Sequence, residues 1–481
     1  MARAGPPGRL AAGARLTLGT RGGDTPQPGL PVGGVPLPMF QNTTTMPNTP
    51  ATALPTPTAA PRLLHGAVGA CALVALACTL SVGPAVHATA AQSERQAADA
   101  AEVERVYLIG PTQASELGCS ITWQTAIPMP AGQSLRFVGI DNDAILALNS
   151  RNEVSLIRPG NGDRGWTASG AESIDKILSV DLVRVTTSEG VSPRVIVTTD
   201  TGVYGLDFKD GASVLRRSFK LVPSTAPVTS GETLVFGTRS GQISWFNCSS
   251  GFERRAYTVD GPFGKSPILA KPVIADGNIV AASAEGTVIA LDESSGNAYW
   301  RKKLLAGVQA TPAVANGVVF VASEDQYLYA FDLDNGNTLW KYFTQTPLTS
   351  APYATGDIVV QDIPGEGLVA FTQKPDGALG GDVRWKRKGL IGAPIGTISV
   401  RGSDAILLWC PTSRTATLVS TATGDIVGIM ELPKVDRLVA DALEPGGFIA
   451  WSKDGRIERL SPLKAAAQPV AAETAPADSN G

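Results

Sequence analysis

GTVIALDESSGNAYW at Gly286 to Trp300 and QYLYAFDLDNGNTLW at Gln326 to Trp340 are near copies of each other, set 40 residues apart. Each carries Ala, Asp two residues on, Gly four after that and Trp four after that: Ala290, Asp292, Gly296, Trp300 and Ala330, Asp332, Gly336, Trp340. Upstream of each copy stands an apolar run, Asn278 to Ser283 and Gly317 to Ser323, joined to it by a short polar turn. Each unit therefore reads as a strand meander. A period near 40 with strand-like content is the signature of β-propeller blades.

A second landmark keeps the same beat. Pro227, Pro272, Pro312, Pro352 and Pro394 each precede an apolar run, at spacings of 45, 40, 40 and 42. Proline lacks a ladder donor and is tolerated where a strand begins, so these residues mark the start of each innermost strand. Weaker copies extend the array. Asp207 and Gly211 stand in register with Leu215 in the Trp position; Asn247 and Gly251 are followed by Arg255 there. Gly162 and Trp166 survive upstream, and Trp385 and Gly424 downstream.

The two ends are each incomplete. FIAWSKDGRIERL at Phe448 to Leu460 supplies two strands, and LGCSITWQTAI at Leu117 to Ile127 supplies Trp123 with no meander before it. Together they make one blade, and pairing them closes the ring without an open seam. The expectation is an all-β, eight-bladed propeller of four-stranded antiparallel blades over residues 104–462. Seven blades is the alternative count.

At these residues the chain resembles the pyrroloquinoline-quinone-like repeat family, whose motif is Ala-x-Asp-x-x-x-Gly-x-x-x-Trp. Two units match fully and about five in part. The resemblance implies that each outer-strand Trp docks between neighbouring sheets and that the turn Gly lets the ring approach backbone. A docked indole contributes a large apolar area, and a side chain at the Gly would obstruct it. Trp123, Trp166 and Trp385 are read the same way. Trp245, Trp409 and Trp451 lie outside the docking position and are expected in the core.

The chain has 481 residues, 43% apolar, with a net charge of −3 that offers no general attraction for polyanions, so nucleic acid is not an expected partner. Residues 1–61 are rich in Pro, Thr, Gly and Ala without apolar periodicity, and read as disordered or as a mis-annotated extension, with Met39 and Met46 as alternative starts. Residues 62–88 read as a secretory signal or a membrane anchor: Arg62, an apolar stretch from Leu63 to Val82, then Val86-His87-Ala88. Either way the propeller is expected outside the cytoplasm, in the periplasm or at the outer face of the envelope, touching membrane only through this segment. Residues 89–103 read as a linker and 463–481 as a disordered tail.

His65 and His87 are the only histidines, and both fall in the leader. A cleaved product would hold none, which removes His-based acid/base catalysis, triads and His metal sites. Cys119, Cys248 and Cys410 are too scattered for a disulfide framework and are expected to be buried or inert. The family's quinone-dependent dehydrogenases use adjacent cysteines, a Trp beneath the cofactor, calcium held by Glu and Asn, and an Asp base; no two cysteines are adjacent here. Glu285, Glu324, Asp325, Glu366 and Asp454 sit at short turns and read as turn formers rather than calcium ligands.

One pattern is less expected. Just after the turn Gly of successive units come Arg216 and Arg217, Arg254 and Arg255, Arg301, Lys302 and Lys303, Lys341, then Arg384, Lys386, Arg387 and Lys388. Lys and Arg on exposed edges discourage sheet-to-sheet pairing; the sharper reading is a docking rim for an anionic envelope partner. The chain is similar to the family's non-catalytic branch, the propeller subunit of the outer-membrane β-barrel assembly machinery. That similarity implies a monomeric, non-enzymatic scaffold that binds envelope proteins and needs no cofactor. A pyrroloquinoline-quinone and calcium oxidoreductase, or a carbohydrate- or peptide-binding sensor, are the alternatives.

Overall fold

The computed structural model describes residues 102–141, 143–261, 264–377 and 379–463. The leader and the expected extension, with most of the linker and tail, lie outside them. Eight four-stranded antiparallel sheets make up the propeller. From inner to outer strand, blade 1 runs Leu135–Asp141, Ala144–Asn149, Glu153–Ile157 and Arg164–Ser169; blade 2 runs Ile177–Thr187, Gly190–Thr199, Gly202–Asp207 and Ser213–Ser218. Blade 3 comprises Val228–Ser230, Thr233–Gly237, Gln242–Asn247 and Phe252–Thr258, and blade 4 comprises Val273–Ala275, Asn278–Ala282, Thr287–Asp292 and Ala298–Lys303. Blade 5 follows with Ala313–Ala315, Val318–Ala322, Tyr327–Asp332 and Thr338–Phe343, and blade 6 with Tyr353–Thr355, Ile358–Ile363, Gly367–Thr372 and Val383–Arg387. Blade 7 is Ala393–Val400, Ser403–Cys410, Thr415–Ser420 and Ile426–Glu431.

Blade 8 is composite, as the incomplete ends require. Arg437–Ala440, Phe448–Trp451 and Arg456–Pro462 come from the end of the folded chain, and Cys119–Ala126 from its beginning supplies the outermost strand. Cys119 pairs with Pro462 and Ala126 with Arg456. The count is eight, and the prolines stand where expected: Pro227, Pro272, Pro312 and Pro352 immediately precede inner strands, and Pro394 is the second residue of one.

The two middle strands of a blade are sandwiched between neighbouring sheets, so Asn278–Ala282 and Val318–Ala322 are buried throughout. This is why they read as continuous apolar runs rather than alternating ones. The outer strands alternate instead, with one residue in and the next out. Every outer pair carries a register shift, as between Ala290 and Leu291 or Ala330 and Phe331. Ala290 faces Trp300 while Leu291 faces Ala298, which leaves Tyr299 bulged outward. Such a bulge re-aims the next side chain, here turning the indole toward the following blade.

A short helix, Pro111–Glu116, precedes the closing strand. Leu108, Ile109, Ala114 and Leu117 from this region share one apolar cluster with Leu418, Leu432, Val435 and Trp409 of the blade 7 to blade 8 region. Among the described residues no helix is long and apolar enough to cross a membrane.

Candidate functional site

The seams between blades are built by the repeat motif. Asp332 Oδ1 accepts the backbone N–H groups of Asp334 and Asn335, both at 3.1 Å, and Gly336 N–H returns to the Asp332 carbonyl at 2.9 Å. The turn this creates presents the Leu333 carbonyl to the previous blade, where Trp300 Nε1 donates to it at 2.7 Å. Gly336 has φ +70°, and a Cβ there would stand 2.6 Å from the Trp300 ring. Asp, Gly and Trp therefore form one device spread over two blades. Asp292 makes the same turn, and hydrogen bonds from Tyr299, Ser294 and Ser295 hold its carboxyl well below the usual range.

Four more indoles dock alike: Trp123 onto Pro159, Trp166 onto Phe208, Trp340 onto Gln373 and Trp385 onto Thr421, at 2.8 to 2.9 Å. Ala290 and Ala330 are fully buried across the ladder from their Trp, where a larger side chain would compete for the same space.

Three seams depart from the pattern. Between blades 2 and 3, Leu215 packs against Gly251. Between blades 3 and 4 the pair is inverted: Trp245 occupies the Ala slot and faces Arg255 in the Trp slot. The Arg255 guanidinium lies 6.0 Å from the Trp245 ring centroid, and both side chains border Gly296. The indole missing from the outer strand is thus supplied by the middle one. Between blades 7 and 8, Leu418 faces Gly428 in the Trp slot, and the segment around the short helix joins the apolar cluster there. Trp245, Trp409 and Trp451 are all buried, and each leaves its Nε1 without a hydrogen-bond partner.

The basic rim looks different in three dimensions. Arg216 pairs with Glu172 and lies 5.3 Å from the Tyr204 ring; Arg254 pairs with Glu232 at 3.8 Å, Arg384 with Asp357 at 2.6 Å and Arg387 with Asp425 at 2.5 Å. Lys386 pairs with Glu366, Lys303 donates to the Glu285 carbonyl, and Lys341 lies 4.8 Å from the Tyr327 ring. Arg217 and Arg255 turn into seams beside Gly251 and Gly296, and Arg301 is also engaged within the chain. Lys302 and Lys388 make no ion pair among the described residues. The expected belt is therefore not a stripe of free positive charge, because turn carboxylates in the same or adjacent blades neutralise much of it. Such exposed pairs contribute little stability each.

The turn carboxylates are engaged as turn formers. Glu324 accepts from Gln309 Nε2 at 2.6 Å, Asp325 from Tyr329 Oη at 2.9 Å, and Asp454 pairs with Arg456 at 2.7 Å. Among the described residues no group of three or more His, Cys, Asp or Glu side chains is placed to hold a metal. Cys119, Cys248 and Cys410 lie in blades 8, 3 and 7, so the cysteine pair of a quinone site has no counterpart among them. The residues present do not fit that cofactor. Burial pushes the thiols of Cys119 and Cys248 up to about 12. Cys410 differs from the expectation: it is half-buried, and hydrogen bonds from Ser413 lower its pKa.

Two residues of blade 8 were not singled out from sequence. Glu458 is fully buried; its Oε2 accepts the backbone N–H groups of Leu108 at 2.9 Å and Ile109 at 3.3 Å. Burial raises its pKa to about 7 against those bonds. Arg459 stands in the Ala slot, opposite Trp123, and binds Asp441 at 2.6 Å. The available signal was the adjacent charges Glu458 and Arg459 in RIERL, at positions where the other middle strands carry uncharged side chains.

Comparison with known proteins places this arrangement. Two overlapping stretches, 115–286 and 265–394, match the family described as outer membrane protein assembly factor BamB, and together they run over more than half of the chain. BamB of Xanthomonas campestris pv. campestris is 35% identical over 179 residues, which is 35% of this chain and 40% of that protein; the match thus spans less than half of the relative's length. The crystal structure of BamB from Moraxella catarrhalis aligns with a TM-score of 0.51 at 20% identity, over 70% of this chain and 97% of that one. The computationally designed Ika8 protein aligns with a TM-score of 0.52 at 13% identity, over 71% and 99%. At these identities the two structures attest the fold alone. The repeat motif, the closed eight-bladed ring and the family match together establish that the chain belongs to the outer membrane protein assembly factor BamB family of pyrroloquinoline-quinone-like propellers.

Proposed function

We propose that this chain is a non-enzymatic interaction scaffold, exported to the cell envelope, that works in outer-membrane protein assembly and binds protein partners there without a cofactor. The observation that carries this reading is the assembly-factor family match laid on a ring of short connections. The connections between successive blades are short, as from Lys303 to Ala313 and from Arg387 to Ala393. Such a ring offers rigid surfaces, and what it binds is decided by those surfaces rather than by the fold itself.

The test is affinity capture with the tagged full chain from a detergent extract of envelope, with crosslinking to hold transient partners. Retention of outer-membrane assembly proteins is expected. Failure to retain any such protein, or sustained dye reduction with alcohols or aldoses after quinone and calcium are added, overturns the proposal.

A further inference from the structure

The inner strands of blades 8 and 1 begin beside a hollow of about 300 Å³ lined by Ser134, Leu135, Arg136, Asp436, Arg437, Trp451 and Lys453, with Pro411 of blade 7. Three cations converge on it from distant parts of the chain. Arg136 is the second residue of one inner strand, Arg437 the first of the other, and Lys453 sits in the turn before Arg456. All three are exposed, and none makes an ion pair among the described residues. The backbone that presents them is tied together: Leu135 N–H donates to the Lys453 carbonyl at 3.0 Å, and Asp436 N–H to the Trp451 carbonyl at 3.0 Å.

The single carboxylate in the lining does not cancel this charge. Asp436 accepts Arg414 at 2.7 Å, the Lys453 backbone N–H at 2.7 Å and Ser452 Oγ at 3.2 Å, so its charge is matched by a fourth cation. Arg136, Arg437 and Lys453 remain uncompensated in a chain whose net charge is −3. Like charges gathered in one hollow repel, and a bound anion relieves that repulsion.

We propose that this hollow is a binding site for a phosphate group. Two guanidinium forks suit bidentate contact with tetrahedral oxygens, the ammonium adds a third positive charge, and three cations match a dianion better than a single carboxylate. The volume sits at the small end of ligand sites, enough for a phosphate with a modest substituent. This site is independent of the scaffold reading, since it uses none of the seam residues or the rim.

Calorimetric titration of the full chain with inorganic phosphate tests it, with flotation on phosphatidylglycerol vesicles against phosphatidylcholine vesicles as the second arm. Saturable phosphate binding or selective flotation is expected, the first marking a free phosphate and the second a lipid headgroup. Either signal should weaken at least about tenfold in Arg437→Gln and in Arg136→Gln, and vanish in the double variant. Both side chains are exposed, so an unchanged Tm confirms that the variants fold. Absence of binding in both arms, or equal binding by a folded double variant, overturns the proposal.

Discussion

Trp123 and Arg459, from opposite ends of the folded chain, donate to the same acceptor, the carbonyl oxygen of Pro159, at 2.8 and 2.9 Å. The closing blade is thereby stitched to blade 1 through both of the strands that close it. Trp123→Phe should cost about 1 kcal/mol, the net worth of one hydrogen bond, and Trp123→Ala about 3–5 kcal/mol. Because the donors share an acceptor, Trp123→Phe and Arg459→Met should be non-additive by about 0.5 kcal/mol or more in denaturant unfolding. Strict additivity would mean that the shared carbonyl does not couple them.

Gly336 and Gly356 separate backbone strain from wedge packing. Both have positive φ, +70° and +54°, but a Cβ on Gly336 would meet the Trp300 ring while one on Gly356 meets nothing within 4 Å. Gly356→Ala should cost about 1 kcal/mol from the left-handed conformation alone. Gly336→Ala should cost at least about 2 kcal/mol, since it adds overpacking. Equal costs in chemical denaturation would show that the indole does not press on the turn.

The inverted pair at the blade 3 to blade 4 seam predicts a rescue. Trp245→Ala alone opens a cavity and should cost about 3–5 kcal/mol, and Arg255→Trp alone crowds Gly296, where Trp245 and Arg255 already stand. The double variant restores the arrangement of Ala290 and Trp300, and should recover most of the loss of either single change in thermal unfolding. A double variant worse than both singles contradicts the interpretation.

Glu458 predicts a pH dependence. Its folded pKa, about 7, lies above the ordinary glutamate value of 4.5, so the folded state holds the proton more tightly than the unfolded chain. Stability from this group is therefore full below about pH 4.5 and is lost as pH rises toward 7, by roughly 3 kcal/mol at about 1.4 kcal/mol per pKa unit. Glu458→Gln, which cannot ionise, should unfold with a flatter profile across this window. Wild-type and variant profiles that run parallel would remove Glu458 as the cause.

The ring was readable because its parts repeat. Trp300 and Trp340 sit 40 residues apart in near-copy stretches, and the prolines keep time even where Leu215 or Arg255 has replaced the indole. Closure followed from two half-blades at Trp123 and Phe448 to Leu460. What stayed hidden depends on partners that no period relates. The cations of the rim were visible, but not that Glu172, Glu232 and Asp425 meet them across turns. Glu458 binds backbone roughly 350 positions away, and backbone groups leave no mark in a sequence. Arg136, Arg437 and Lys453 converge only because the chain ends meet.

The ring's closure is tested most directly by hydrogen exchange with mass spectrometry on the intact chain. About half of the amides in peptides covering Cys119–Ala126, those facing Arg456–Pro462, should be protected as long as that strand, because the two form one ladder. Full exchange of Cys119–Ala126 within seconds, while Arg456–Pro462 and Thr287–Asp292 stay protected, would contradict a propeller closed by the two ends of its folded chain.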